Sequence, residues 1–291
     1  MKRIAVIMAC HNRKEKTLAC LKAVSALQKP EDVALQVFLL DDASSDGTRE
    51  AVKEVFPETT LLLGSGRLFW NRGMNLAFAE ALTSDFDGFL WLNDDTIIFP
   101  EALENLLAAE KEKRSVGPGI IVGATQDPES RKTTYGGVVL RSRWHPFRFE
   151  RLEVRELPTK CDTFNGNCVL IPQEVARAVG NLDPIFSHGI GDYDYGLRAK
   201  KRGFPSWVAR GYVGTCPRNE QKGMGIDPNA SLLKQWQRVN SPKGLPPGEW
   251  WVFSRRYGGP FFPLFWFIPY FKLAMAFLSA RGQRLRGNVQ C

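Results

Sequence analysis

No two of the six cysteines form a C-x-x-C pair: Cys10, Cys20, Cys161, Cys168, Cys216 and Cys291 are scattered along the 291 residues. That spacing offers neither a zinc site nor a disulfide framework, and unpaired thiols suit a reducing compartment. No G-x-G-x-x-G follows the first apolar run, where the chain has Ala9-Cys10-His11-Asn12-Arg13 instead. This excludes a Rossmann-type dehydrogenase or methyltransferase. Met1-Lys2-Arg3 opens like a secretory signal, but the apolar run behind it breaks at His11-Asn12-Arg13, too early for an h-region. A cytoplasmic protein is the expectation. Internal repeats and low-complexity linkers are missing, which favours one composite domain with a tail. Acidic residues are absent between Arg255 and Cys291, where Arg255, Arg256, Lys272, Arg281, Arg284 and Arg286 stand. Most of the net charge of +8 therefore belongs to the tail. With no basic stripe ahead of it, nucleic acid is not an expected partner.

Alternation is what the chain does have. Ile4 to Ala9 is a short apolar run suited to a strand buried on both faces. Lys14 to Leu27 carries Leu18, Leu21, Val24 and Leu27 at helical spacing. Further strands are expected at Ala34 to Leu40, Thr59 to Leu63 and Gly88 to Leu92, with helices at Thr48 to Phe56 and Gly73 to Leu82. Such alternation implies an α/β fold, with a mainly parallel central sheet flanked by helices. The second half is mixed, with strands at Gly119 to Ala124 and Tyr135 to Arg141. The apolar segment Thr163 to Ile171 is interrupted by Asn165-Gly166-Asn167. Pro172 opens a helix to Val179, and Asp192 to Arg202 has a helical pattern that stops at Gly203.

In sheets of this kind, ligands sit beyond the carboxyl ends of the strands. Three of those ends are polar here: His11-Asn12-Arg13, Asp41-Asp42 and Asn93-Asp94-Asp95. Adjacent carboxylates such as Asp94 and Asp95 repel unless a cation or strong donors share them, and a hard divalent ion prefers oxygen ligands. A solvated turn or helix cap accounts for the pair equally well. Asp41 and Asp42 are placed to accept hydrogen bonds from a base or ribose, whereas Asp46 reads as a turn residue. Asp192, at the start of a helix, is a candidate general base, and Asp194 and Arg198 are spaced to pair on one helix face.

In this order the segments resemble the family 2 glycosyltransferases of bacterial surface-polysaccharide synthesis, whose fold is the GT-A, nucleotide-diphospho-sugar transferase type. The matching segments are Ala5 to Arg13, Asp41 to Thr48, Trp70-Asn71-Arg72-Gly73-Met74-Asn75, Asn93-Asp94-Asp95, Asn165-Gly166-Asn167 and Gly191-Asp192-Tyr193-Asp194. The resemblance implies an inverting transfer from a UDP- or dTDP-linked sugar to a lipid-linked or polysaccharide acceptor. It implies that Ala9, His11, Arg13, Asp41, Asp42, Arg72, Asn75 and Asp94 border the nucleotide-sugar. Asp95, with Asp94, would hold Mn²⁺ or Mg²⁺, and Asp192 would be the catalytic base. Trp70, Asn165, Gly166 and His188 fall on the acceptor side. Two positions depart from the family pattern: Asn93 replaces the first carboxylate of Asp-x-Asp, and Gly191 stands where relatives carry Glu before the base. Cys216 stands where some relatives supply a metal-binding His, and a buried, inert thiol is the expectation there. A catalytically silent nucleotide-sugar binding protein on the same fold is the alternative reading.

These readings divide the chain into a catalytic domain, 1–220, and an extension, 221–291. The catalytic domain has a nucleotide-binding half, 1–115, and an acceptor half, 116–220. In the extension, Trp250-Trp251 and the run Pro260 to Phe271 combine aromatics with flanking cations, which suits a segment lying at a membrane surface. Pro263 and Pro269 are expected to interrupt it. A peripheral location on the inner face of the cell membrane follows, with docking on the catalytic domain or a homodimer as the alternative.

Overall fold

The computed structural model describes residues 1–142, 144–218 and 231–287, with side chains up to 277 apart from Leu232. Cys291 and the segment 219–230 lie outside the described residues. The chain separates into two compact units, one of 1–141 with 149–218, the other of 142–148 with everything after 218.

In the first unit, β1 (Lys2–Cys10) is the spine. It pairs in parallel with β2 (Val33–Asp41) on one side and, on the other, with β4 (Gly88–Leu92); β3 (Thr60–Leu63) extends the sheet beyond β2. Helices α1 (Lys14–Ser25), α2 (Thr48–Val55) and α3 (Phe69–Ala81) make the crossovers. After the two-residue β5 (Ile97–Ile98) and α4 (Ala102–Lys113), β6 (Ile120–Gln126) returns to the sheet.

The expected strand Tyr135 to Arg141 is two strands, β7 (Thr133–Tyr135) and β8 (Gly137–Leu140). The chain leaves the main sheet at Gly136: β7 pairs with β6, and β8 joins β9 (Phe149–Arg151) and β11 (Thr163–Phe164) in a small second sheet. A single apolar run spanning two sheets carries no periodicity that marks the break. β10 (Thr159–Cys161), β12 (Cys168–Pro172) and β13 (Ser206–Thr215) complete the large sheet. Its order is β10-β13-β6-β12-β4-β1-β2-β3, with β12 antiparallel to β4 and β6. The result is a mixed, mainly parallel sheet.

Both faces of that sheet are buried, and strand alternation divides the core. Ala5 and Ile7 of β1, Phe89 and Trp91 of β4, and Val169 and Ile171 of β12 share one layer with Met74, Ala77 and Phe78 of α3. Helices α5 (Gln173–Val179) and α6 (Gly191–Lys201) add to the same layer. Ile4, Val6 and Met8, with Leu90, Leu92 and Leu170, face α1 and α4 in the other. Trp91 and Phe164 are fully buried, and the Trp91 ring meets Tyr195 of α6 edge-on at 4.7 Å. That contact fixes the amino end of α6 above the sheet rim. Gly203, at φ +87°, closes the turn after α6 where the sequence placed the stop.

In the second unit, α7 (Leu232–Val239), α8 (Pro247–Tyr257) and α9 (Phe262–Gly287) follow one another. Contrary to expectation, α9 runs through both prolines. Pro263 falls in the first turn, where its missing N–H has no helical acceptor to lose. Pro269 lies inside the helix, which continues past it.

Candidate active site

The parallel register aligns Cys10 with Asp41 and Ile7 with Trp91, so the polar tips of β1, β2 and β4 emerge at one rim. β12 runs the other way with Cys168 opposite Leu92, which brings Asn165-Gly166-Asn167 to the same rim. The Asn93 amide donates to the Asn167 carbonyl at 3.0 Å. α6 begins beside them, and Asp192 accepts from the amides of Gly166 and Tyr193 at 2.9 and 2.8 Å. Four segments distant in sequence thus meet at one edge.

At the centre, the Arg13 guanidinium donates to Asp94 Oδ1 at 3.0 Å and to Asp95 Oδ2 at 2.9 Å. Both carboxylates are buried. Burial pushes the Asp94 carboxyl up to about 6, with Arg13 opposing and Asp95 reinforcing the shift. Asp94 Oδ2 has no hydrogen-bond partner among the described residues. Beneath Asp95, the Cys216 thiol lies 3.5 Å from Oδ1 and accepts from Asn167 Nδ2 at 3.6 Å. Burial and Asp95 push that thiol up to about 12, so it stays protonated and serves as a weak donor. Cys216 is fully buried, as expected from sequence, and it is also a neighbour of the acidic pair.

Asp41 and Asp42 shape the backbone around the rim. Asp42 accepts from the amides of Gly66, Leu68 and Phe69 at 2.7, 2.8 and 3.2 Å, which fastens the entry to α3. Asp41 Oδ1 accepts from the Ser44 amide at 2.9 Å. His11 Nδ1 donates to the Asp42 carbonyl at 2.6 Å, and Asn12 Oδ1 accepts from the Ser45 amide at 2.7 Å, so the first two loops are latched together. Asp46 accepts from the Lys14 and Thr48 amides, capping α1 and α2 at once. Ala9 packs beneath α3, at the position facing Gly73.

Trp70 lies in the first turn of α3 and not in a loop as its flanking glycines suggested. Its indole N–H donates to Asn93 Oδ1 at 2.6 Å, so the amide that replaces a carboxylate here has an assigned partner. The ring lies where a Cβ on Gly166 would stand, 2.6 Å from its edge carbons, and only glycine fits. Arg72 and Asn75 donate to the carbonyls of Pro184 and Leu182 at 2.9 and 2.7 Å. Their observed contacts are with the loop leading to α6. His188, half-buried, stands further along that loop. The Asn165 amide donates to the Gly136 carbonyl at 2.9 Å, and its Oδ1 accepts from the Gly136 amide at 3.5 Å. Asp194 pairs with Arg198 at 2.8 Å, a structural bond at the spacing expected.

Sequence reasoning missed Asn71. It is fully buried, and its Nδ2 donates to the carbonyls of Asp183 and Phe186 at 2.8 and 2.7 Å. A Cβ added to Gly191 would lie 1.9 Å from Asn71 Oδ1. Gly191 is therefore small because Asn71 occupies the space a side chain would take, which accounts for the second departure from the family pattern. The pairing of Asn71 in one motif with Gly191 in another was the available signal, visible only once the two are in contact. Backbone strain concentrates here as well. Among the described residues, Asn12, Ala43, Phe69 and Ile190 are four of the five non-glycine residues with positive φ. Ile190, β-branched and at φ +59°, precedes Gly191 and Asp192 directly. Such a conformation costs about 1–3 kcal/mol and persists only where the surroundings enforce it.

The comparisons decide which family this rim belongs to. A family model described as glycosyl transferase family 2 matches residues 5–180, from β1 to the end of α5. The chain belongs to that family. The chain is 27% identical over 206 residues to N-acetylglucosaminyl-diphospho-decaprenol L-rhamnosyltransferase of Mycobacterium tuberculosis. The match covers 63% of this chain and 66% of the relative, just under two thirds of its length. Among solved structures it is similar to the mannosyltransferase PcManGT from Pyrobaculum calidifontis in complex with GDP-Man and Mn²⁺. That match has a TM-score of 0.56 at 18% identity, over 96% of this chain and 73% of that one. It is also similar to S. aureus TarS 1-349 in complex with UDP-GlcNAc, with a TM-score of 0.54 at 13% identity, over 86% and 66%. At these identities the likeness shows the fold, which is GT-A.

Two outcomes test the geometry of the rim. Replacing Arg13 with Gln leaves two buried carboxylates without their shared cation. The expected loss is about 2–3 kcal/mol, discounted for the guanidinium's partial exposure. That loss is largest at alkaline pH and shrinks as pH falls towards about 6, because Asp94 without Arg13 takes up its proton at higher pH than it does beside the guanidinium; urea unfolding at several pH values reads it. A pH-independent loss would contradict the charge account. Second, Gly191→Ala is expected to cost about 1–3 kcal/mol through overpacking, with Asn71→Ala in the same chain recovering part of it. Strict additivity in that double-mutant cycle would mean that Asn71 does not set the size of residue 191.

Proposed function

We propose that this chain transfers a sugar from a nucleoside diphosphate donor, UDP- or dTDP-linked, to a glycan or lipid-linked glycan acceptor with inversion at the anomeric carbon. The observation that carries the proposal is the Asp192 carboxylate. It is held by two amides at the start of α6, on the rim that bears Asp94 and Asp95, and burial pushes it up to about 6. A carboxylate so placed is ionised at neutral pH yet basic enough to accept a hydroxyl proton. In the step proposed, the acceptor oxygen forms a bond to the anomeric carbon while the bond to the departing phosphate oxygen breaks. The acceptor proton passes to Asp192, and the electron pair leaves with the nucleoside diphosphate. The rhamnosyltransferase relative, whose name specifies a diphospho-decaprenol acceptor, supports an acceptor of the lipid-linked kind.

A divalent cation, Mn²⁺ or Mg²⁺, fits the acidic pair. The site offers two adjacent buried carboxylates, and Asp94 Oδ2 is an oxygen with no partner among the described residues. Asp94 and Asp95 would hold the ion, and its chemistry there is neutralisation of the leaving diphosphate. Cys216, a protonated and soft donor, does not suit the role. No group of three or more His, Cys, Asp or Glu suited to a metal occurs among the described residues, so donor oxygens and water would complete the shell. In this reading Arg13 holds the pair together before the donor arrives, and Lys16, which acts on Asp94 from the first turn of α1, adds positive charge. Trp70 reaches from Asn93 to Gly166, whose amide donates to Asp192, and in this reading both lie on the acceptor side.

Asp192→Asn is expected to lower turnover by about a thousandfold or more while nucleotide binding persists. In the unmodified chain, transfer falls as pH drops through about 6, where Asp192 is protonated. The raised value has a signature in stability too. Because ionisation of Asp192 opposes folding, stability present below its ordinary value of 3.8 is lost as pH rises through about 6. The Asn variant escapes that loss, so its melting temperature relative to the parent rises between about pH 4 and about pH 8. Undiminished turnover by the variant would refute the assignment of the base.

A further inference from the structure

Apolar side chains occupy two opposite faces of α9. One face is used within its own unit. The Trp266 indole donates to the Pro247 carbonyl at 3.0 Å, the Tyr270 hydroxyl donates to the Leu245 carbonyl at 3.0 Å, and the Trp251 and Trp266 rings meet edge-on at 5.3 Å. The other face carries Leu264, Phe267, Phe271 and Met275, spaced by three and four residues and each at least half exposed. At 1.5 Å per residue the stripe is about 16 Å long. Four large apolar side chains in one exposed row mark an interaction surface.

Charge says what covers it. Lys272 is exposed next to Phe271 of the stripe, Arg255 of α8 is exposed as well, and no acidic residue follows Glu249 in the sequence. A second copy of this chain would bring the same excess of cations to the contact and repel. An anionic lipid surface supplies the opposite charge together with an apolar layer for the stripe. The stretch Gly259–Phe277, 19 residues with a mean hydropathy of 1.3, is long and apolar enough to cross a membrane by composition. Crossing would draw Lys272 into the hydrocarbon. A helix lying flat keeps that cation among the headgroups. We propose that α9 lies along an anionic bilayer surface, with Leu264, Phe267, Phe271 and Met275 dipped into the interface and Lys272 on lipid phosphates. The proposal stands on the second unit alone and does not need the donor chemistry of the first.

The test is flotation of the full-length protein with vesicles of phosphatidylcholine alone, and with vesicles that also contain phosphatidylglycerol. Binding to the second kind only, weakened by salt and reversed by alkaline carbonate, is the expected result. Phe267→Ser with Phe271→Ser lowers the affinity by about tenfold or more at an unchanged melting temperature. Lys272→Glu, which leaves the apolar stripe intact, lowers it severalfold on anionic vesicles. Failure of the parent to float with either vesicle would overturn the proposal, as would equal binding by the double variant. Carbonate-resistant binding would show a spanning helix instead. Loss of a dimer in the double variant without vesicle binding by the parent would show a second copy on this face.

Discussion

Everything at the rim depends on one ion-pair arrangement, the Arg13 guanidinium shared between the buried carboxylates of Asp94 and Asp95. Two adjacent carboxylates with little access to water repel strongly, and a cation from another strand end lets both remain in place. The sheet register delivers that cation. β1 and β4 run side by side in parallel, so the residues just beyond their carboxyl ends are neighbours by construction. The pairing leaves one oxygen of Asp94 without a partner, and burial makes its carboxyl easier to protonate.

Around this pair the structure uses protonated thiols and backbone amides to steady acidic groups. Cys10 lies 4.0 Å from Asp41, and Cys216 lies 3.5 Å from Asp95. Both thiols are buried and pushed up by burial and by the neighbouring carboxylates, so neither competes with them for a proton at neutral pH. Asp42, Asp46 and Asp192 rely on amides of loops and helix starts. The acidic residues therefore differ in what holds them: backbone amides for Asp42, Asp46 and Asp192, and the Arg13 guanidinium for Asp94 and Asp95.

Much of the first unit was legible in the sequence. Short apolar runs fully buried on both faces mark β1 and β4, and helical spacing of Leu18, Leu21 and Val24 marks α1. The rule that ligands gather beyond strand ends singled out three polar strand ends, and the structure brings them to one rim. What stayed hidden was set by contacts between distant segments. Arg13 with Asp94, Trp70 with Asn93 and Gly166, and Asn71 with Gly191 leave no local pattern in the chain. Arg72 and Asn75 carried the right motif, but their contacts are with the 182–184 loop, because α3 turns them toward the approach to α6. The tail misled for a different reason: two prolines argue for a broken helix, yet one falls in the first turn, where it costs nothing, and the helix continues past the other.

The central claim is that the rim built by Arg13, Asp94 and Asp95 receives a nucleoside diphosphate together with a divalent ion. Calorimetric titration of UDP, dTDP and GDP into the full-length protein, each with and without Mn²⁺, tests it most directly. The account predicts that one nucleotide binds, and that it binds tightly only when the ion is present. Absence of binding by all three under both conditions would contradict it.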